Sequence, residues 1–249
     1  MGFKKSWIIS YELAKIDFKA KNKKNFLGTI WYVLDPLIFF IIFLLIRSLV
    51  GSDIPNYPAY LLVGLMVFNF FRKSTTFAAT SLINNENLLK SQKINKSILI
   101  KSSIINIVFT HIFEIMILVC LLFYLKSLTI GFLFYPVLII PLLMFIYGIS
   151  FSLATLSVYI RDIPNMWGAL MRILWLATPI FYSSRIELPL NFNLYNPLNI
   201  FITLTRDVIV YNTIPNTWTM MSAILFGFCS LTLGLIIFKI LEIGVVENL

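Results

Sequence analysis

Two adjacent cations in the middle of an apolar stretch are the first residues in this sequence with chemistry to do. Arg72 and Lys73 interrupt the segment 58–83. At i, i+3, i+4 spacing, Asn69, Lys73, Thr76, Thr80 and Asn84 share one helical face, with Arg72 beside it. A charge at mid-bilayer costs about 2.5–3.5 kcal/mol on insertion scales, so it normally faces protein or water. A cationic, polar face on a helix otherwise made of Phe and Ala suits a water-filled path for an anion. The plain alternatives are hydrogen bonding between helices and a snorkelling pair near a helix end. A second polar face follows, with Asn106, Thr110 and Glu114 at i, i+4, i+8 and His111 alongside. Glu114 can neutralise Arg72, Lys73 or Arg172. A buried Glu–His pair is also the material of a proton relay, but a structural ion pair is the expected reading. The candidate path residues are therefore Asn69, Arg72, Lys73, Thr76, Thr80 and Glu114.

Other chemistry is thin. The single histidine is His111, and Cys120 and Cys229 both lie in apolar segments. Neither a metal centre nor a disulfide framework is expected from that set. No Gly-Lys pair occurs, so a phosphate-cradling loop is absent and no cofactor is expected in this chain. If ATP drives it, another chain binds the ATP.

The elements that carry these residues belong to a membrane. Of the 249 residues, 59% are hydrophobic and 12% charged, with mean hydropathy +0.89 and net charge +9. Soluble domains run at about 45–50% apolar and 25% charged. The lysines flank apolar runs instead of striping a soluble fold, which excludes nucleic-acid binding. A spanning helix needs about 20 mostly apolar residues. Six spans are expected, near 30–50, 58–83, 98–125, 131–157, 165–183 and 217–238, within one membrane domain over 1–249.

Residues 1–28 are Lys-rich and do not read as a secretory signal. Trp7, Tyr11, Ala14 and Phe18 form one apolar stripe and Ile9, Leu13 and Ile16 another, separated by charges. That pattern predicts an amphipathic helix lying at the lipid headgroups, with a solvated helix as the alternative. The stretch 184–216, with Pro189, Pro197 and Pro215, holds an apolar run around Leu198–Leu204 too short to cross. A re-entrant or surface-lying pair of short helices is expected there.

Orientation follows from Lys and Arg in the loops. With both termini cytoplasmic, thirteen fall inside: seven Lys before residue 25, then Lys90, Lys93, Lys96, Lys101, Arg161 and Lys239. Four fall outside, namely Arg47, Lys126, Arg185 and Arg206. No internal repeat is visible, unlike transporters built from two related halves. Aromatic residues make up 16% of the chain, among them Phe39, Phe43, Trp175, Phe181 and Tyr182. Interfacial belts and lipid contact account for most; rings lining a canal would also stack on sugar faces.

Six motifs then fall in a recognisable order. Gly28-x-x-Trp31 with Pro36 opens the first span, and Tyr60-Leu61-Leu62-Val63-Gly64-Leu65 opens the second. Asn87-Leu88-Leu89-Lys90, closing with Lys93-Ile94, lies between spans two and three. Tyr159-Ile160-Arg161-Asp162 and Thr178-Pro179-Ile180-Phe181-Tyr182 bracket span five. Tyr195-Asn196-Pro197-Leu198 with Arg206 completes the series. Together they resemble ABC-2 type exporter permeases of the polysaccharide branch. Two positions depart from that pattern: Asn95 and Lys96 end a site where the family has Phe-Pro-basic, and Asp35 precedes Pro36.

The resemblance implies a homodimer joined to two copies of a separate ABC ATPase subunit, which carries the ATP and Mg. It implies export of lipid-linked polysaccharide such as O-antigen, capsule or teichoic acid from the cytoplasmic leaflet. It assigns Asn87, Leu88, Leu89, Lys90, Lys93 and Ile94 to coupling with the ATPase. It places Tyr195, Asn196, Pro197 and Arg206 at an outer gate, where Arg206 and Asp207 either latch the exit or stand as solvated charges. The first rival is an ABC-2 permease for a small hydrophobic compound or drug. The second, a membrane-embedded lipid-phosphate transferase, needs clustered acids or histidines, and only Glu114 and His111 come close.

Overall fold

A computed structural model describes residues 3–23, 30–50, 54–91, 94–182 and 196–249. Among them the regular elements are all helical. They run α1 (Phe3–Lys23), α2 (Trp31–Val50), α3 (Tyr57–Ala79), α4 (Ser81–Asn84), α5 (Glu86–Ser91) and α6 (Lys96–Tyr124). A 3-10 turn, Ile130–Phe134, leads into α7 (Tyr135–Tyr159), followed by α8 (Ile163–Ala177), α9 (Pro197–Ile209) and α10 (Thr217–Leu241).

The starts are chemically marked. Proline occupies the first turn of α3, α7, α8 and α9, where its missing N–H costs nothing. Asparagine caps open α6, α9 and α10: Asn95 accepts from Ser97 N–H at 2.9 Å, Asn196 from Leu198 N–H at 3.0 Å, and Asn216 from Trp218 N–H at 3.0 Å. Asn95 thus starts α6 by side-chain capping at the position where the sequence departs from the Phe-Pro-basic pattern.

Among the described residues, three segments are long and apolar enough to cross a membrane: Lys96–Tyr124, Ile130–Tyr159 and Thr217–Leu241. The chain is a multi-pass membrane protein. α3 has the length, but Arg72 and Lys73 dilute its apolarity. α8 differs from the expected span 165–183 because it stops at Ala177. Thr178 precedes Pro179 and is extended (φ −90°, ψ 133°), since the proline ring disfavours helical backbone in the residue before it.

α3 is the central element. Every residue from Ala59 to Phe71 is buried, and the helix packs on α2, α6, α7, α8 and α9. A helix buried on all sides can carry charges only where a neighbour or a cavity receives them. α7 and α10 form the closest pair, drawn together by glycines. A Cβ on Gly148 would collide with the Ser230 backbone, and one on Gly234 with the Gly148 carbonyl.

The Trp7–Tyr11–Ala14–Phe18 stripe of α1 packs on the bundle. Tyr11 and Phe18 meet Phe109 edge-on at 5.6 and 5.8 Å, and the Asn106 amide donates to the Ala14 carbonyl at 3.2 Å. A helix solvated on all sides is therefore not what forms. Within 184–216, residues 196–216 are described and contribute one helix, α9, of 13 residues. Arg185, Pro189 and Tyr195 lie outside the described residues, as does Lys93.

Candidate functional site

A cavity of about 980 Å³ opens between α2, α3, α6 and α8. From α3 it takes Asn69, Arg72, Lys73, Thr76 and Thr80. From α8 it takes Gly168, Arg172 and Trp175 at i, i+4, i+7, one face of a helix. Phe39 and Trp31 of α2 and Thr110 of α6 add to the wall, and Lys21 reaches it from α1. Lys21 lies over the Phe77 ring, 5.4 Å from its centre, a cation–π contact at the cavity edge. The wall thus combines four cations with three threonines and several rings. That is chemistry for an anion joined to something flat and weakly polar.

The rings continue beyond the cavity. Trp175 lies 6.3 Å from Phe39 and 5.6 Å from Phe43, Phe43 stacks on Phe181 at 5.0 Å, and Phe181 meets Tyr182 at 5.2 Å. This row leads from the cavity to the turn after α8.

Glu114 stands elsewhere. It is buried behind the wall, its side chain 4% exposed, and faces a separate small pocket. Lys73 donates to its Oε1 at 2.8 Å, which selects Lys73 from the three cations the sequence offered. Glu114 Oε2 meets His111 Nδ1 at 3.0 Å, and His111 Nε2 meets the Tyr135 hydroxyl at 2.6 Å. The Phe70 ring stacks on the imidazole at 4.0 Å. Arg72 donates to Asn69 Oδ1 at 3.1 Å.

Beyond this cluster, three of the sequence motifs converge on one arginine. Arg206 is 3% exposed, not solvated. Its Nε donates to the Tyr60 carbonyl at 3.0 Å, Nη1 to Pro179 at 2.7 Å and Nη2 to Ile180 at 2.7 Å. The guanidinium carbon lies 3.3 Å from the centre of the Tyr60 ring. Gly64 leaves room for it, since a Cβ there would collide with Nη2. The Tyr60 hydroxyl donates to the Tyr182 carbonyl at 2.9 Å, and Asn196 donates to Thr178 Oγ1 at 2.8 Å. Pro197 follows as the first residue of α9. Arg206 and Tyr60 therefore fix the Thr178–Tyr182 turn against α3.

At the opposite end, α5 exposes Asn87 and Lys90 while Leu88 and Ile94 are half-buried. Leu89 is 6% exposed and belongs to the chain's own core. A six-residue helix lying on the bundle turns one face inward, and Leu89 is on that face. Lys90 donates to Glu86 at 2.6 Å, and that hydrogen bond holds the Glu86 carboxyl below the usual carboxylate range. Tyr159 donates to the Leu241 carbonyl at 2.7 Å, Arg161 to that of Leu249 at 3.2 Å, and Lys96 to that of Glu242 at 2.8 Å. The Tyr159–Asp162 motif and the start of α6 thus secure the segment after α10.

Sequence reasoning missed Lys21 and Tyr135 and did not place Arg172 on the cavity. The Gly168–Arg172–Trp175 spacing on α8 was a usable signal for Arg172. Lys21 sits in a run of surface-like lysines and gives none.

No known family profile matches the chain. Several curated relatives do. An O-antigen export system permease protein RfbA of Klebsiella pneumoniae is 29% identical over 204 residues, 80% of this chain and 78% of the relative. A second from the same organism is 28% identical over 239 residues, 94% of this chain and 92% of the relative. One from Myxococcus xanthus is 24% identical over 172 residues, 68% and 66% of the two chains. The order of the motifs and the similarity along most of the chain coincide: this protein is related to the permeases of O-antigen export systems, the polysaccharide branch of the ABC-2 exporters.

Proposed function

We propose that this chain is the transmembrane subunit of an ABC exporter that moves a lipid-linked polysaccharide across the cytoplasmic membrane. The observation that carries the reading is the cavity: four cations at its wall and a row of rings leading away from it. A polyprenyl-pyrophosphate glycan has the matching parts, an anionic junction and flat sugar faces. The relatives are named for export of a polysaccharide, O-antigen, which disfavours a small hydrophobic drug as cargo. Large, flat, sugar-like cargo also fits a wall of rings better than a sealed apolar pocket does.

In this reading six helices cross the membrane: α2, α3, α6, α7, α8 with the turn after it, and α10. Both termini face the cytoplasm, α1 lies at the inner headgroups, and α9 forms a short gate helix outside. Two copies pair so that their cavities face a shared canal. The ATPase subunits, carrying ATP and Mg, dock at the 86–97 segment through the exposed Asn87 and Lys90. Asn69, Arg72, Lys73, Thr76 and Thr80 line the path, with Glu114 behind them. Asn196, Pro197 and Arg206 frame the outer gate.

The test is purification of the full chain from its native membrane. The expected result is a complex with two nucleotide-binding subunits and a co-isolated glycan bearing a polyprenyl pyrophosphate. A complex loaded with a small apolar compound instead would overturn the reading.

A further inference from the structure

Lys73 sits at a boundary. Its ammonium is 2.8 Å from Glu114 Oε1, yet its side chain remains 21% exposed and forms part of the cavity wall. Glu114 is the fixed partner. Its other oxygen is held by His111 at 3.0 Å, His111 is held by Tyr135 at 2.6 Å, and Phe70 covers the imidazole. His111 is 1% exposed and Tyr135 4%. One member of the ion pair is therefore buried and tied to an imidazole that is itself held in place, while the other is a flexible four-carbon stem beside open space.

We infer that Lys73 is an exchangeable cation. With the cavity empty it pairs with Glu114, and when a phosphate-type anion enters it turns to that anion. Glu114 is a positioning residue: its hold on Lys73 sets how strongly the cavity grips its cargo. Arg172 of α8 and Arg72 of α3 stand at the same wall and supply attraction that does not depend on Glu114. This deepens the proposed function and rests on its assignment of an anionic cargo to the cavity. It also answers a transport problem, because a site must bind well enough to admit its cargo and weakly enough to release it. A cluster with every lysine and arginine uncommitted would hold a pyrophosphate too tightly to pass it on.

The experiment uses the full chain in lipid nanodiscs, titrated with farnesyl pyrophosphate and, as the uncharged control, farnesol. Quenching of Trp31 and Trp175 at the cavity wall reads binding. Glu114→Gln removes the competitor for Lys73, so the expected Kd for the pyrophosphate is about tenfold tighter, the size of a coupling between contacting charges. Lys73→Gln should weaken binding, and the double variant should match Lys73→Gln, because the gain at Glu114 needs Lys73. Glu114→Asp keeps the charge but withdraws it by one methylene, so it should tighten binding by a smaller factor. That variant carries the test if Glu114→Gln does not fold. A purely structural Glu114 would produce no tightening in any variant. Pyrophosphate binding indifferent to Glu114, or a gain that persists without Lys73, overturns the exchange and leaves the cargo assignment standing. No difference between farnesyl pyrophosphate and farnesol in any variant overturns both.

Discussion

At the scale of single residues, a buried cation survives in an apolar bundle when neighbouring groups take up its charge. Arg206 does so with its guanidinium spread over three carbonyls and a ring. Lysine cannot reproduce that fork. Arg206→Lys should therefore lose two of the three bonds, each a charge-assisted bond worth about 1.5–3 kcal/mol. The expected outcome is a lower unfolding midpoint of the purified protein, and Gly64→Ala should act in the same direction by displacing the guanidinium. A midpoint unchanged in both would mean the clamp carries no stability. Arg206 read from sequence as a gate latch or a solvated charge, because a lone arginine near prolines gives no hint of which carbonyls surround it. Arg72, Lys73, Thr76 and Thr80 were legible for the opposite reason. They lie on one helix, and helical periodicity alone brings them to one face.

Whole elements follow their apolar faces, and short ones hide them. The Leu88-Leu89 pair in α5 reads as two contacts for a partner, but the structure splits it into a buried Leu89 and a half-buried Leu88. Leu89→Asp should then damage the fold itself, at about 2–5 kcal/mol for loss of a buried leucine with a charge left in its place. Lys90→Glu, on the exposed face, should leave the melting profile intact and reduce recovery of the ATPase subunit in a pull-down. Equal recovery with Lys90→Glu would move the docking surface away from α5. α7 and α10 make the complementary case. Gly234→Val places a branched side chain against the Gly148 backbone, and the expected outcome is loss of folded protein by size exclusion in detergent. The helical, membrane-spanning character was readable from hydropathy, and the Pro and Asn that open α3 and α6 to α10 are signals a sequence reading could use. The early end of α8 was also legible from Pro179, whereas the seating of α1 depends on rings of α6 that no local pattern announces.

Across the whole molecule, the cations of the cavity come from three separate helices: Lys21 from α1, Arg72 and Lys73 from α3, and Arg172 from α8. Their gathering is a property of the bundle: periodicity marks a face on α3 and another on α8, but only the fold brings the two faces and Lys21 to one wall. The motifs of Tyr60–Leu65, Thr178–Tyr182 and Tyr195–Leu198 are likewise explained only by the assembled fold, where their described residues meet around Arg206. The role proposed for this cavity is to pass a lipid-linked polysaccharide outward. The most direct measurement is the amount of that glycan at the outer face of the cytoplasmic membrane in cells that carry the wild-type chain, no chain, or Arg172→Gln. Expected are glycan outside with the wild type, glycan held inside without the chain, and a several-fold reduction with Arg172→Gln at unchanged protein level. Undiminished glycan at the outer face in cells lacking the chain would contradict that role.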